Sequence, residues 1–574
     1  MFRAVIYNEI IKVSPADVAF FVSASEQSEY GDYSSNAAMV VAKKERKNPK
    51  DCALEFKTKL EQRAEIIKNI ERTEIAGPGF LNFYLKKEAL WRGLENILSE
   101  NSLTIRARGK DLLRAACSRL EFSSKVFLRA ASKKPFFAKA MKGEAKRICL
   151  EFVSANPTGP LTMANGRGGF YGDALANILE AAGHNVTREY YINDTGNQIK
   201  LLGESILAAE ENSPVGGFTK DEHYKGEYIK ELKGKSAKQA ATLLLKSIKA
   251  SLKKAGIKFD IWFSEEKNLC QKGALKKTLK FLQDKKLVRE YESALWLGDP
   301  KRDKAVLVKS DGEPTYFLAD LAYHYDKFIN REFDIAINIW GADHHGYAAR
   351  MKRGAEALGI DANKIHILIM QLVRLISGGK EMRMSKRAGN FVTMDELLEM
   401  VGVDVARWFF LEKSLKTHMD FDLDLARERS RKNPVYYVQY AHARACSILK
   451  KSTQKTIWRP PARQLFGGDN QVKLKLLETN EELALIKKIL QLPEIIEDIA
   501  SDYEVQRLPR YAYELAKTFT DFYENCRVIY PEHSRVVDES ARKLTAARLA
   551  LVLATQKTLH AALGLMGISA PKKM

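Results

Sequence analysis

Cysteine is scarce, with only Cys52, Cys117, Cys149, Cys270, Cys446 and Cys526 in 574 residues and no Cys-x-x-Cys pair among them. That spacing offers neither a zinc knuckle nor a disulfide framework, and a reducing, cytoplasmic compartment is expected. No apolar run is long enough to cross a bilayer, so no membrane partner is expected. No secretory leader is expected either: Arg3 is the single early basic residue, and Asn8, Glu9 and Lys12 interrupt the apolar run. Acids are outnumbered, 72 Asp and Glu against 93 Lys and Arg, which leaves a formal net charge of +21. A surplus of that size favours a polyanionic partner, nucleic acid before any other.

What the chain does have is apolar material, 45% of its residues, enough for several cores and for three or four domains. Residues 1–103 mix short helical and strand-like runs. They include the turn Ala76-Gly77-Pro78-Gly79 before the apolar run Phe80 to Leu85 and read as a small α+β domain. Residues 104–146 are strongly basic and nearly free of acids, as in an appended insert or linker, with an RNA-contacting arm as the alternative. Over 147–425 the pattern is doubly wound α/β. Strand Ile148 to Val153, a Gly/Pro turn, a helix through Glu180 stopped by Gly183, and a strand at Tyr190 to Ile192 make one βαβ unit. Phe333 to Trp340, a helix from Tyr347 to Leu358, and Ile365 to Met370 repeat it, which predicts a Rossmann-like parallel sheet. A Lys-rich helical insertion is expected at about 200–260. Residues 426–574 read as an all-α bundle.

Two segments carry chemistry. The turn after the first strand runs from Glu151 through Ser154, Asn156, Pro157-Thr158-Gly159-Pro160-Leu161 and Thr162-Met163-Ala164-Asn165 to Gly168-Gly169. At the carboxyl end of such a strand, the next helix aims free N–H groups at an anion, so a nucleotide phosphate belongs there. Further on, Arg383-Met384-Ser385-Lys386-Arg387 is a basic segment preceded by Ser377-Gly378-Gly379. A lysine in a mobile loop can neutralise charge developing on a transferring phosphate. Gly234-Lys235-Ser236 is a decoy, since Lys230 and Ile229 stand where a P-loop would need its opening glycine. Adjacent His344 and His345 lack the same-face spacing of a zinc helix, and no protein metal site is expected.

The two segments, in this order, resemble the HIGH and KMSKS signatures of class I aminoacyl-tRNA synthetases. The stretches Asn-Pro-Thr-Gly-Pro-Leu, Tyr-Gly-Asp-Ala-Leu-Ala, Glu-Tyr-Tyr-Ile-Asn-Asp-Thr-Gly-Asn-Gln, Trp-Gly-Ala-Asp-His-His-Gly-Tyr and Asn-Pro-Val-Tyr-Tyr-Val-Gln-Tyr-Ala-His-Ala-Arg resemble the arginyl-tRNA synthetase branch. The resemblance covers nearly the whole chain except the basic insert. It implies an ATP-dependent ligase that joins L-arginine to tRNA(Arg) through an arginyl-adenylate, with Mg2+ accompanying the ATP and the chain acting as a monomer.

One departure stands out: Thr162-Met163-Ala164-Asn165 replaces the usual His-x-Gly-His. A hydroxyl and an amide can still donate to phosphates, whereas losing such a donor outright costs about 3 kcal/mol in the transition state. Ala164 should crowd the adenine. A catalytically impaired tRNA-binding paralogue is therefore the alternative, and a class I synthetase of another specificity a second.

The resemblance implies roles residue by residue. Thr162, Asn165, Arg383, Ser385 and Lys386 would be catalytic, and Met163, Ala164, Gly341, Asp343 and Met384 would help hold ATP, with Asp343 on the ribose. A guanidinium demands acids because it is always charged and offers a planar fork of donors. Tyr316 and Asp320, four apart in a helical pattern, face one way, and with Glu151 they would surround it. Ser154, Asn156, Asn165 and His344 would lie near the α-amino and carboxylate groups. Phe80 and Asn82 match positions that touch the tRNA elbow. Tyr436, Tyr437, Tyr440 and Arg444 combine aromatic faces and a cation suited to unpaired anticodon bases.

Overall fold

Strand Arg147–Glu151 is buried along Ile148, Cys149 and Leu150, which no two-sided polar strand could be, and it lies in the middle of a five-stranded sheet. Its neighbours are Asn185–Ile192, then Ile261–Ser264, on one side, and Ile335–Gly341, then Ile365–Met370, on the other. Every pairing is parallel. Numbered along the chain, the lateral order is 3-2-1-4-5, the doubly wound order whose direction reverses between Arg147–Glu151 and Ile335–Gly341. Ligands bind beyond the carboxyl ends of the strands at such a reversal. The computed structural model describes residues 2–15, 18–25, 27–99, 144–210, 223–301, 305–382, 392–454, 472–529 and 539–574. Most of the basic insert at 104–146, Cys117 and all of 383–391 lie outside the described residues.

Helix Met163–Ala181 starts at Thr162 because a reciprocal capping box closes its first turn. The Thr162 side chain accepts from the Asn165 backbone, and the Asn165 side chain accepts from that of Thr162. The helix packs tightly on the sheet. A Cβ at Gly172 would stand 2.3 Å from the Phe152 ring, so only glycine allows the approach. Helices Gly196–Glu210 and Ala237–Lys254 form the expected insertion and share a small core of Leu202, Ile206 and Leu244.

Three strands went unread in the sequence between that insertion and the second half of the sheet. Val288–Tyr291, Ala294–Leu297 and Val306–Val308 form an antiparallel sheet. Ser377-Gly378-Gly379 differs from expectation too. It is the turn of a hairpin joining Val373–Ser377 to Lys380–Met382. Both glycines have positive φ, 58° and 71°, as a two-residue hairpin turn requires.

The N-terminal region places helices about an antiparallel four-stranded sheet whose strand Phe80–Leu85 has the predicted limits. Beyond Arg427 the described regular elements are helical, the long ones being Pro434–Gln454, Asn480–Leu490, Leu492–Asp502, Arg507–Asn525 and Glu539–Leu565. The two ends of the chain meet: buried Tyr33 donates to Glu494 at 3.0 Å, and Arg3 pairs with Glu497 at 3.1 Å. No helix of the described residues is long and apolar enough to cross a membrane, and the five described cysteines are free thiols.

Candidate active site

The turn leaving the first strand is strained. Val153 and Ser154 have φ of 66° and 39°, and a β-branched residue in the left-handed region costs about 1–3 kcal/mol. The bend returns Ser154 to the strand end, where its hydroxyl donates to Glu151 Oε1 at 3.2 Å and accepts from the Tyr191 N–H at 3.1 Å. Glu151 is 7% exposed, and its other oxygen receives Lys327 Nζ at 2.8 Å.

Two more carboxylates face this point. Thr315 caps helix Tyr316–Tyr325, which carries Tyr316 outward, 52% exposed, and Asp320 one turn later toward Glu151. Tyr347 donates to Asp320 Oδ2. Glu265, just past strand Ile261–Ser264, is buried and accepts from Tyr191 Oη at 2.8 Å. Burial pushes the Asp320 carboxyl up to about 7. The Tyr347 hydrogen bond opposes this, the charges of Glu151 and Glu265 add to it, and Lys327 opposes it again. Burial also raises Glu265, helped by Asp194. Lys327 is bound to Glu151, and among the described residues no cation is paired with Asp320 or Glu265. A planar cation with several donors would complete the cluster.

At the neighbouring helix N-terminus, the Thr162 hydroxyl and backbone N–H both donate to Asn165 Oδ1, each at 2.9 Å. This fixes the amide: Oδ1 is held by the cap, which leaves the Nδ2 protons for other partners. Of the two side chains expected to donate to phosphate, Thr162 has its hydroxyl proton directed to Asn165 Oδ1. Met163 is buried, and Ala164 is partly buried in the same turn. Across the reversal, Gly341 ends its strand where a Cβ would meet Asp343 Oδ1 at 2.6 Å. Asp343 and His344 are exposed, 3.6 Å apart. His344 lies 5.8 Å from the Trp340 ring and 6.4 Å from that of Tyr347. Asn156 is partly buried in the turn before the helix. Arg383, Met384, Ser385 and Lys386 lie outside the described residues.

Far from this pocket, the helical region holds a cleft of about 710 Å³ lined by Tyr440, Arg444, Lys451, Tyr523, Arg527 and Lys573, among others. The Arg444 guanidinium sits 5.3 Å from the Tyr440 ring centre and 4.8 Å from that of Tyr523. Tyr436 and Tyr437 instead pack against the core, Tyr437 with its ring 5.1 Å from Tyr513. Tyr440 is 39% exposed, and Arg444 is half-buried beside it. In the N-terminal sheet, Phe80 is half-buried beside Phe21, ring centres 6.5 Å apart. Asn82, also expected at the tRNA elbow, is buried in its strand, 3% exposed.

Comparison with known proteins covers each of these regions. The arginyl tRNA synthetase N terminal domain matches residues 1–85. The catalytic domain of class I (R) tRNA synthetases matches 130–216 and 211–422, and the DALR anticodon binding domain matches 438–574. The arginine–tRNA ligase of Carboxydothermus hydrogenoformans is 41% identical, over 97% of this chain and 95% of its own. The chain belongs to the arginyl-tRNA synthetase family. The arginine–tRNA ligase of Heliobacterium modesticaldum is 39% identical, over 97% and 94%. Among solved structures, a putative arginyl-tRNA synthetase from Campylobacter jejuni has a TM-score of 0.65 and 32% identity, covering 79% of this chain and all of that one. The Thermus thermophilus arginyl-tRNA synthetase, 22% identical, shares the fold over the full length of both chains with a TM-score of 0.73.

Within this family frame, the sequence reading missed Glu265, Tyr191, Tyr347 and Lys327. Tyr347 was legible in principle, three residues beyond His344 on a predicted helix. Glu265 had no local signal, since only the pairing of Ile261–Ser264 with Asn185–Ile192 brings it in. Asn193 Oδ1 and Gln198 Oε1 are also buried and have no hydrogen-bond partner among the described residues. Both belong to the Glu189 to Gln198 stretch that carried the resemblance. Among the described residues no three His, Cys, Asp or Glu side chains are grouped to hold a metal ion.

Proposed function

We propose that this chain uses ATP to attach L-arginine to tRNA(Arg) through an arginyl-adenylate. The observation that carries the reading is the trio of carboxylates Glu151, Asp320 and Glu265, whose charges act on one another and of which Glu151 is paired with Lys327, at the carboxyl ends of a doubly wound parallel sheet. Glu151 and Asp320 take the guanidinium, and Tyr316 closes over it. Ser154, Asn156, Asn165 and His344 orient the α-amino and carboxylate groups. The arginine carboxylate attacks the α-phosphorus of ATP in line. The Asn165 amide, the helix N-terminus behind it, and Arg383, Ser385 and Lys386 oppose the charge that builds on the phosphates. Mg2+ arrives with the ATP. Gly341 and Asp343 receive the ribose, and Met163, Ala164 and Met384 flank the nucleotide.

The tRNA then takes the arginyl group. Residues 426–574 grip its anticodon through Tyr440 and Arg444, residues 1–103 reach its elbow through Phe80, and 147–425 perform the chemistry. The basic residues of 104–146 add to RNA affinity. The chain works as a monomer in the cytoplasm.

ATP–pyrophosphate exchange in the presence of tRNA tests the reading. Arginine supports exchange, and citrulline, which leaves buried acids unpaired, supports it about 10⁴-fold less well. Exchange driven by another amino acid, or unaffected by Asp320→Asn, contradicts it.

A further inference from the structure

Helix Tyr316–Tyr325 runs on into a π-helical turn, Asp326–Asn330, whose second residue is Lys327. Asp320, Tyr323, His324 and Lys327 are spaced by three, one and three, so they line one face of the element. Lys327 is 0% exposed. Its ammonium lies 2.8 Å from Glu151 Oε2, 2.9 Å from Asn338 Oδ1 and 3.9 Å from the centre of the Tyr323 ring.

The groups beyond it are all engaged elsewhere. Tyr323 Oη donates to Glu189 at 2.6 Å, Arg331 pairs with Glu189, and Cys149 lies 3.5 Å from the same carboxylate. His324 Nδ1 faces the Asp320 carbonyl at 2.9 Å and must carry the proton, so Nε2 accepts from Asn338 Nδ2 at 3.4 Å. Asn338 is thereby fixed with its oxygen toward Lys327. Burial and the Lys327 charge keep His324 neutral, its value pushed down to about 3. Arg331 satisfies Glu189, and His324 carries no charge, so Glu151 is the acid left for Lys327.

We propose that Lys327 is a positioning residue for the amino-acid substrate: it holds Glu151 Oε2 from beneath, leaving Oε1, steadied by Ser154, to meet the guanidinium. The inference rests on the reading of Glu151 as an arginine ligand. Physical necessity supports it. Glu151 and Glu265 lie near enough to Asp320 for their charges to act on it, and carboxylates so placed are hard to keep ionised together without a cation among them. Before arginine arrives, Lys327 is that cation. A lysine so near the site also repels a second cation, and the gain from an aimed Glu151 exceeds that repulsion.

The test is steady-state charging of tRNA by Lys327→Met, Lys327→Arg, Glu151→Gln and the double variant Glu151→Gln/Lys327→Met. For Lys327→Met the KM for arginine rises about ten-fold or more, while the KM for ATP and kcat at saturating arginine change less than about three-fold. Lys327→Arg restores the KM for arginine, and the double variant is no worse than Glu151→Gln alone. A lowered or unchanged KM for arginine in Lys327→Met overturns the proposal, as does a fall confined to kcat or an additive double variant. Unchanged arginine KM in Glu151→Gln would instead sink the reading of Glu151 itself. If Lys327→Met fails to fold, the double variant, which buries no lone charge, decides: a KM for arginine well above that of Glu151→Gln overturns the proposal.

Discussion

The Met163 N–H donates to the Val392 carbonyl at 3.1 Å, and the Met394 N–H donates back to Leu161 at 2.9 Å. Thr162 thus stands opposite Thr393 in a short antiparallel bridge. The turn that opens the signature helix and the segment that follows residues 383–391 are one piece of hydrogen-bonded backbone. Arg167, fully buried on the same helix, donates to the carbonyls of Gln371 and Ser414 at 2.8 Å and of Thr417 at 3.0 Å. Gln371 leads into the hairpin Val373–Met382. The described segments before and after residues 383–391 therefore both bond to the helix whose N-terminus carries Thr162 and Asn165.

The cap separates stability from catalysis. Thr162→Ala removes the side-chain acceptor of the capping box and costs about 1 kcal/mol of stability, read from a denaturant midpoint. Asn165→Asp keeps the acceptor and suits a helix N-terminus, so stability holds. It removes the amide donor, however, and sets an anion beside the phosphates, lowering kcat by roughly 100-fold. Full activity in Asn165→Asp would contradict the role given to the amide.

Asp320 links arginine recognition to pH. Its carboxyl is held at about 7 in the fold, above the roughly 3.9 of an unfolded chain. Folding therefore favours the protonated form. That contribution is fully present below about 3.9 and is lost as pH rises through about 7. Arginine has the opposite preference because it pairs with the carboxylate. The KM for arginine falls about ten-fold between pH 6 and 8. Over the same interval the arginine-free thermal midpoint of the native chain falls relative to Asp320→Asn. A flat KM profile with parallel midpoints contradicts the assignment.

Arg444 and Tyr440 address the other end of the tRNA. Arg444→Ala weakens tRNA binding about ten-fold and reduces its salt dependence by about one unit of slope if the guanidinium meets a phosphate. KM values for arginine and ATP stay as they were. Tyr440→Ala lowers affinity with little change in that slope, because stacking releases no counterion. Filter binding at several salt concentrations separates the two, and unchanged affinity in both would remove this cleft from the RNA surface.

Much of the fold was legible where local pattern decides. Ile365–Met370 and Phe80–Leu85 have the limits their apolar runs predict. Ile261–Ser264 was lost because four residues after a Lys-rich helix carry too short a period, and only its parallel partner makes it a strand. The candidate site divides in the same way. Tyr316 and Asp320 share one helix turn and could be paired by counting. Glu265 and Lys327 depend on contacts across 70 residues or more, to Tyr191 and Glu151, which no local spacing records. The burial of Asn82 and Tyr437 was unreadable for a related reason: an amide in a strand or a tyrosine on a helix reveals its exposure only once its neighbours are packed.

The most direct measurement is charging of total tRNA with labelled arginine, ATP and Mg2+, beside a Lys386→Ala control. The account predicts acid-precipitable arginyl-tRNA from the native chain and a loss of at least about 100-fold in the control. Tight tRNA binding with no charging by the native chain would contradict it, and would mean that Thr162-Met163-Ala164-Asn165 does not sustain the chemistry.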